Sequence, residues 1–168
     1  SLLCRLCSFF SQVPPPTEIY TLSLHAALPI LFEALHQDLK KSPIVSFTSE
    51  FSLLYSEINL AIKNLIKWSK TKRVRGPLIN FPSKNQITPF PYGSVLIISP
   101  WNYPLYLSLR PMICALVAGN SCILKPSELT PHTSEVLNTL ISNAFGKEQL
   151  TVVQGGPDTV HELINSKP

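Results

Sequence analysis

The chain has 168 residues, 45% hydrophobic and 14% charged, with a formal net charge of +4. This length suits about one domain with a core that needs no disulfide or metal staple, and the apolar content excludes a disordered chain. Charge well below the usual ~25% points to surface that a partner covers, while no apolar run approaches the ~20 residues of a membrane span, so the chain is expected to be soluble and globular.

Residues 1–30 carry two charges, Arg5 and Glu18. With one basic residue and no A-x-A-like cleavage site, this stretch fits a signal peptide poorly. Thr17 to Ile30 resembles the in-frame translation of a common short-read sequencing adapter, with an alanine where that frame gives aspartate. Pro14-Pro15-Pro16 fits the same frame after a few base changes. Residues 1–30 are therefore expected to be a non-native, loosely packed segment, with an ordinary linker as the plain alternative.

Leu31, Ala34, Leu35 and Leu39 predict a short helix over 31–41 that ends before Ser42-Pro43. Phe51, Leu54, Ile58, Ala61, Leu65 and Trp68 recur every three or four residues and predict an amphipathic helix over 48–69. Lys63, Lys67, Lys70, Lys72, Arg73 and Arg75 are six of the fourteen basic residues. With no nucleic-acid-binding motif beside them, they are expected to be a solvated helix face and its exit, and nucleic acid is not an expected partner. Gly76-Pro77 breaks the chain, and Pro82, Pro89 and Pro91 limit residues 78–92 to an edge hairpin.

From Ser94 the pattern changes. Val95 to Ile98 predicts a parallel strand buried on both faces. Pro104 to Ala118 predicts a helix stopped at Gly119, with a kink or restart at Pro111. Ser121 to Leu124 predicts a second strand, and Thr130 as N-cap with Pro131 at the first position opens a helix ending near Gly146. Leu150 to Val153 predicts a third strand, turned by Gly155-Gly156-Pro157 into a last helix. This βαβαβα order implies an α/β fold with a Rossmann-like parallel sheet, preceded by helices and an edge hairpin. The domain division follows: 1–30 set apart, 31–93 helices and hairpin, 94–168 part of a nucleotide-binding domain.

Each strand ends in a polar or glycine-bearing segment: Ser99 to Pro104, Lys125 to Glu128, and Gln154 to Gly156. Ligands of open α/β sheets bind at that carboxyl edge, although each segment also reads as an ordinary turn. Asn102, between Trp101 and a proline-fixed helix start, offers an amide donor to a developing oxyanion; a loop-bracing or capping Asn is the alternative. Lys125 and Glu128 lie where an acidic residue takes ribose hydroxyls, or else form a surface ion pair. No G-x-G-x-x-G is present. Cys4 and Cys7 form a lone C-x-x-C, weak evidence for zinc, so no metal is expected. Cys114 and Cys122 fall in apolar runs, where cysteine acts as a small buried hydrophobe, and a reducing cytoplasm fits this usage.

Pro100-Trp101-Asn102-Tyr103-Pro104, Gly119-Asn120-Ser121 and Leu124-Lys125-Pro126-Ser127-Glu128 together closely resemble the aldehyde dehydrogenase superfamily, in its class 3, fatty-aldehyde-like branch. The similarity runs from about residue 31 to the end, with the spacing between motifs intact. The resemblance implies a sheet that binds NAD or NADP without the glycine fingerprint. It implies that Asn102 stabilises the thiohemiacetal oxyanion, that Lys125 and Glu128 contact the adenosine ribose, and that Ile98, Ser99, Pro100 and Trp101 line the cofactor cleft, with Gly155 and Gly156 at the third strand end. The implied reaction oxidises an aldehyde to an acid through a cysteine thioester, with a glutamate as base. The family's nucleophile and base match no residue here. The chain is thus expected to be an inactive, doubly truncated part of an enzyme that is itself a homodimer, with a non-catalytic nucleotide-binding module as the alternative.

Overall fold

A computed structural model describes residues 16–166, with side chains from residue 28 onward. Helix α1 (Pro16–Leu39) passes through Pro29 and stops at Lys40, whose φ of 56° is left-handed. The expected helix start at Leu31 is thereby corrected. The helix begins fifteen residues earlier, inside the stretch set apart as non-native, and Leu28 already packs against the core. The rest of that expectation, and the Cys4/Cys7 pair, lie outside the described residues.

Ser42 opens the next helical run, its hydroxyl accepting from Val45 N at 3.4 Å, with Pro43 in the first turn. The run comprises α2 (Pro43–Ser46), a π-helical turn (Phe47–Phe51) and α3 (Ser52–Trp68), and so starts ahead of the expected Thr48. Hydroxyls of Thr48, Ser49 and Ser52 donate to carbonyls four residues back, competing with the backbone ladder where it widens. The turn carries Glu50 and Phe51 into the interior.

The hairpin differs from expectation. Strand β1 (Lys72–Val74) lies within the basic cluster and pairs antiparallel with β2 (Asn85–Ile87), across a 3-10 turn at Leu78–Asn80. Only one strand falls within 78–92. All residues of β1 are exposed, so the strand carries no apolar alternation by which to be recognised.

Three parallel strands follow in the order β3-β4-β5: β3 (Ser94–Ile98), β4 (Ser121–Lys125) and β5 (Leu150–Val152). The crossovers are α4 (Pro104–Val117) and α5 (Pro131–Ala144), and α6 (Pro157–Asn165) follows β5. Register aligns Val95 with Cys122 and Ile97 with Leu124, and Cys122 with Leu150. Those side chains meet Met112 and Ala115 of α4 and Ile141 of α5, so both crossover helices cover one face of the sheet. The expected burial of β3 on both faces is not found, because α4 and α5 pack on one face only, which buries Ile97 and leaves Ile98 46% exposed. The helix at Pro104 does not restart at Pro111 but continues as one element. Cys122 is buried as expected; Cys114 is exposed, on the solvent side of α4.

A second core layer joins the helices: Leu31 and Leu35 of α1, Phe51, Leu54 of α3, Leu105 of α4 and Leu137 of α5. Phe32 meets Phe51 edge to face at 5.1 Å. Thr130 sits at the N-cap of α5, but its hydroxyl donates to the Ser127 carbonyl and caps nothing. Asp38 of α1 supplies the cap, accepting from His132 N at 3.2 Å and Thr133 N at 2.8 Å. Asn120 ties the end of α4 to the start of β3, accepting from Gly93 N and donating to Ala115 O.

Candidate functional site

The carboxyl ends of the three strands are stitched edge to edge. Ser99 N donates to Lys125 O at 3.0 Å and Val153 N donates to Leu124 O at 2.9 Å. The three segments singled out by sequence therefore share one rim of the sheet. The second and third of them line one cavity.

Between the ends of β4 and β5 lies a cavity of about 200 Å³ lined by Pro126, Ser127, Glu128, Pro131, Ser134, Gln154 and Gly155. Glu128 and Gly155 thus come together, whereas Ile98, Ser99, Pro100, Trp101, Asn102, Lys125 and Gly156 do not line it. Gly155 has a structural reason to be glycine: a Cβ there would fall 2.1 Å from Thr159 Oγ1. At Gly156 a Cβ would meet open space, and the residue serves as the N-cap position of α6. Ser127 and Gln154 lie in the strand-end segments named from sequence but were assigned no role there, and Ser134 was not singled out. Gln154 Nε2 donates to Glu135 Oε2 at 2.9 Å, and nothing local in the sequence signals a contact nineteen residues away.

Lys125 and Glu128 form an ion pair at 2.5 Å, but not a surface one: the Lys125 side chain is only 3% exposed and that of Glu128 is 42% exposed. Lys125 is held at the end of the central strand, among residues buried on both sides, so its ammonium reaches outward to the next polar group available. The hydrogen bond from Lys125, more than any other influence, holds the Glu128 carboxyl below its usual range. At neutral pH Glu128 is therefore a carboxylate, able only to accept hydrogen bonds, beside a cation that only donates. That pairing suits a ligand bearing hydroxyl groups.

On the β3 side, Ser99 is 5% exposed and its hydroxyl has no hydrogen-bond partner among the described residues. A buried hydroxyl in that condition fits a site whose polar ligand completes it. Ile98 and Trp101 are 46% and 52% exposed, an apolar ledge beside the same strand end. The Asn102 side chain is exposed and, among the described residues, makes no hydrogen bond, so the bracing and capping alternatives receive no support. Its backbone carbonyl accepts from Lys41 Nζ at 2.9 Å. A larger cavity of about 350 Å³ lies at the hairpin, lined by Arg73, Arg75, Phe81 and Lys84 among others, and contains none of the candidate residues.

Parallel strands joined by α4 and α5, with polar segments gathered on the carboxyl rim, define a Rossmann-like α/β unit. The aldehyde dehydrogenase family model matches residues 46–168. The chain is 42% identical over 135 residues to the 4,4'-diaponeurosporen-aldehyde dehydrogenase of Staphylococcus aureus, covering 80% of this chain and 29% of that protein. It is 44% identical over 138 residues to aldehyde dehydrogenase family 3 member B1 of Bos taurus, covering 82% and 30%. Among solved structures, the substrate-bound state of Staphylococcus aureus AldH superposes with a TM-score of 0.81 at 36% identity, covering 97% of this chain and 32% of that one. This chain belongs to the aldehyde dehydrogenase family. Its similar relatives include class 3 members, and it spans about 30% of their length.

Proposed function

We propose that this chain is part of an NAD(P)-dependent aldehyde dehydrogenase, contributing the adenosine side of the cofactor site and the donor that steadies the substrate oxyanion. Residues 94–168 belong on this reading to the coenzyme domain, and residues 31–93 to its helical and hairpin support. The observation that carries it is the meeting of Glu128 and Gly155 in one cavity at the sheet's carboxyl rim, with buried Lys125 holding Glu128 ionised.

The residues present fit a dinucleotide. Glu128 would accept from ribose hydroxyls, and Lys125 would donate to the same sugar or to a neighbouring phosphate oxygen. Gly155 and Gly156 give the backbone a close approach at the rim. Ser99 supplies a buried hydroxyl in need of a partner, and Ile98, Pro100 and Trp101 offer apolar surface beside it. NAD or NADP bound there would supply hydride acceptance. Asn102, exposed on its loop and with no side-chain hydrogen bond among the described residues, would donate its amide to the aldehyde oxygen as negative charge grows on it, which selectively stabilises the transition state.

The thiolate that attacks the aldehyde and the carboxylate that activates water have no match among these residues, Cys114 and Cys122 included. The 168-residue chain by itself therefore oxidises no aldehyde. The intact enzyme is a homodimer on this reading, and the exposed apolar residues of the hairpin region, with Leu78 at 92% and Phe90 at 89%, are surface for the rest of the enzyme or its partner to cover. Free Cys114 and Cys122 suit the cytoplasm, and no helix among the described residues is long and apolar enough to cross a membrane.

Calorimetric titration of the chain with NAD+ and with NADP+, beside an aldehyde turnover assay, tests this function. Saturable binding of at least one cofactor without turnover is expected. Turnover above a no-enzyme control, abolished by replacing one of the chain's own cysteines, would overturn the assignment of the chemistry to residues outside it.

A further inference from the structure

Asn102 can direct its amide only if something holds the loop that carries it, because the side chain itself is exposed and has no partner among the described residues. Two side chains from outside the sheet do hold that loop. Glu50, fully buried in the π-helical turn, accepts through Oε2 from Leu105 N at 2.9 Å and Tyr106 N at 3.1 Å. Those are the second and third residues of α4, whose first is Pro104 and whose N-cap, Tyr103, makes no side-chain cap. Through Oε1, Glu50 accepts from Lys41 Nζ at 2.6 Å. The same ammonium donates to the Asn102 carbonyl at 2.9 Å and lies 4.4 Å from the centre of the Tyr103 ring.

A helix cap explains only half of this. Capping α4 requires an acceptor at Leu105 and Tyr106, and Glu50 provides it. It requires nothing at Asn102, which precedes the cap residue. Asp38 makes the contrast, since it caps α5 at His132 and Thr133, accepts again from the Thr133 hydroxyl, and makes no hydrogen bond to a strand-end loop among the described residues. The Lys41–Glu50 pair does more: it locks Asn102, Tyr103, Leu105 and Tyr106 to one buried carboxylate and its counter-ion.

We propose that Lys41 and Glu50 are positioning residues for the Asn102 amide, fixing its backbone so that the unbonded side chain meets the substrate oxygen in one orientation. The second half of that statement rests on the oxyanion role given to Asn102 above; the first half does not. Glu50 sets the start of α4. Lys41 sets the peptide that leaves Asn102. A loop displaced by about 1 Å costs roughly 100-fold in an oriented reaction, so the pair acts on turnover without touching substrate.

The test compares Lys41→Met, Lys41→Arg and Glu50→Gln with Asp38→Asn. In the 168-residue chain it follows the Asn102 side-chain amide resonances and backbone amide exchange by NMR. In the full-length enzyme it follows kcat and KM. Lys41→Met is expected to broaden or split the Asn102 amide resonances and to lower kcat about 10-fold with KM nearly unchanged, while Leu105 and Tyr106 stay protected from exchange. Lys41→Arg, which can still donate to both oxygens, should restore most of both signals. Glu50→Gln should in addition cost Leu105 and Tyr106 about 10-fold or more in protection. Asp38→Asn, which keeps one acceptor oxygen of the two, should lower protection at His132 or Thr133 and leave Asn102 as it was. Should Glu50→Gln not fold, the two Lys41 variants decide the matter. Unchanged Asn102 resonances in Lys41→Met would overturn the proposal and reduce the pair to a cap. Altered resonances with undiminished kcat would leave the positioning intact and refute the oxyanion role of Asn102.

Discussion

Asn102 and Glu128 stand at the ends of neighbouring strands and are assigned opposite work, so their variants should separate. In the full-length enzyme Asn102→Ala should lower kcat by about 10²–10³, because the lost bond forms mainly to charge that develops in the transition state. Cofactor dissociation constants should barely move. Glu128→Ala should instead weaken cofactor binding by about 10-fold, the effect of losing a ribose hydrogen bond. Measuring kcat and the dissociation constant for both variants checks the pair; a Glu128→Ala enzyme with unaltered cofactor binding would remove the ribose role. The cysteines separate by environment. Burial pushes the Cys122 thiol up to about 11, while Cys114 is exposed on α4. At pH 8 Cys122 stays a protonated, shielded thiol, and only thiolates react. Iodoacetamide followed by peptide mass spectrometry should modify Cys114 before Cys122, and Cys122 only on unfolding.

At the scale of elements, the support of the rim comes from far along the chain. Asp38 closes the start of α5 across 94 residues, replacing the cap that Thr130 fails to provide. Asp38→Ala should cost about 1–2 kcal/mol, typical of a lost N-cap, read as a lowered urea midpoint at constant m-value. A midpoint equal to that of the unaltered chain would show the cap to be energetically idle. Distance also explains what sequence could and could not show. Val95 to Ile98, Ser121 to Leu124 and Leu150 to Val153 are contiguous apolar runs bounded by turn residues, so the sheet and its crossover helices were legible. Strand β1 was not, because its residues are exposed and mostly charged. Asn102, Lys125 and Glu128 were legible as strand-end residues within family motifs. Asp38, Lys41 and Glu50 were not: apart from the Lys41–Glu50 pair itself, nine residues apart, their partners lie 55 to 95 residues away, and no local pattern encodes such contacts.

For the molecule as a whole, helices α1 to α3 brace the crossover helices while the sheet keeps its carboxyl rim open. One face of the sheet is covered by α4 and α5, and the rim holds a cavity at Glu128 and Gly155. A second cavity at the hairpin is lined by Arg73, Arg75 and Lys84, cations that any phosphate-bearing ligand would attract. The two locations make opposite statements about what the chain is for. Titrating the isotope-labelled 168-residue chain with NAD+ and NADP+ at physiological salt, and mapping the amide shift changes, tells them apart. The crevice account predicts saturable changes at Ser127, Glu128, Ser134, Gln154 and Gly155, with the hairpin unmoved. Changes confined to Arg73, Arg75 and Lys84, or none that saturate, would contradict it.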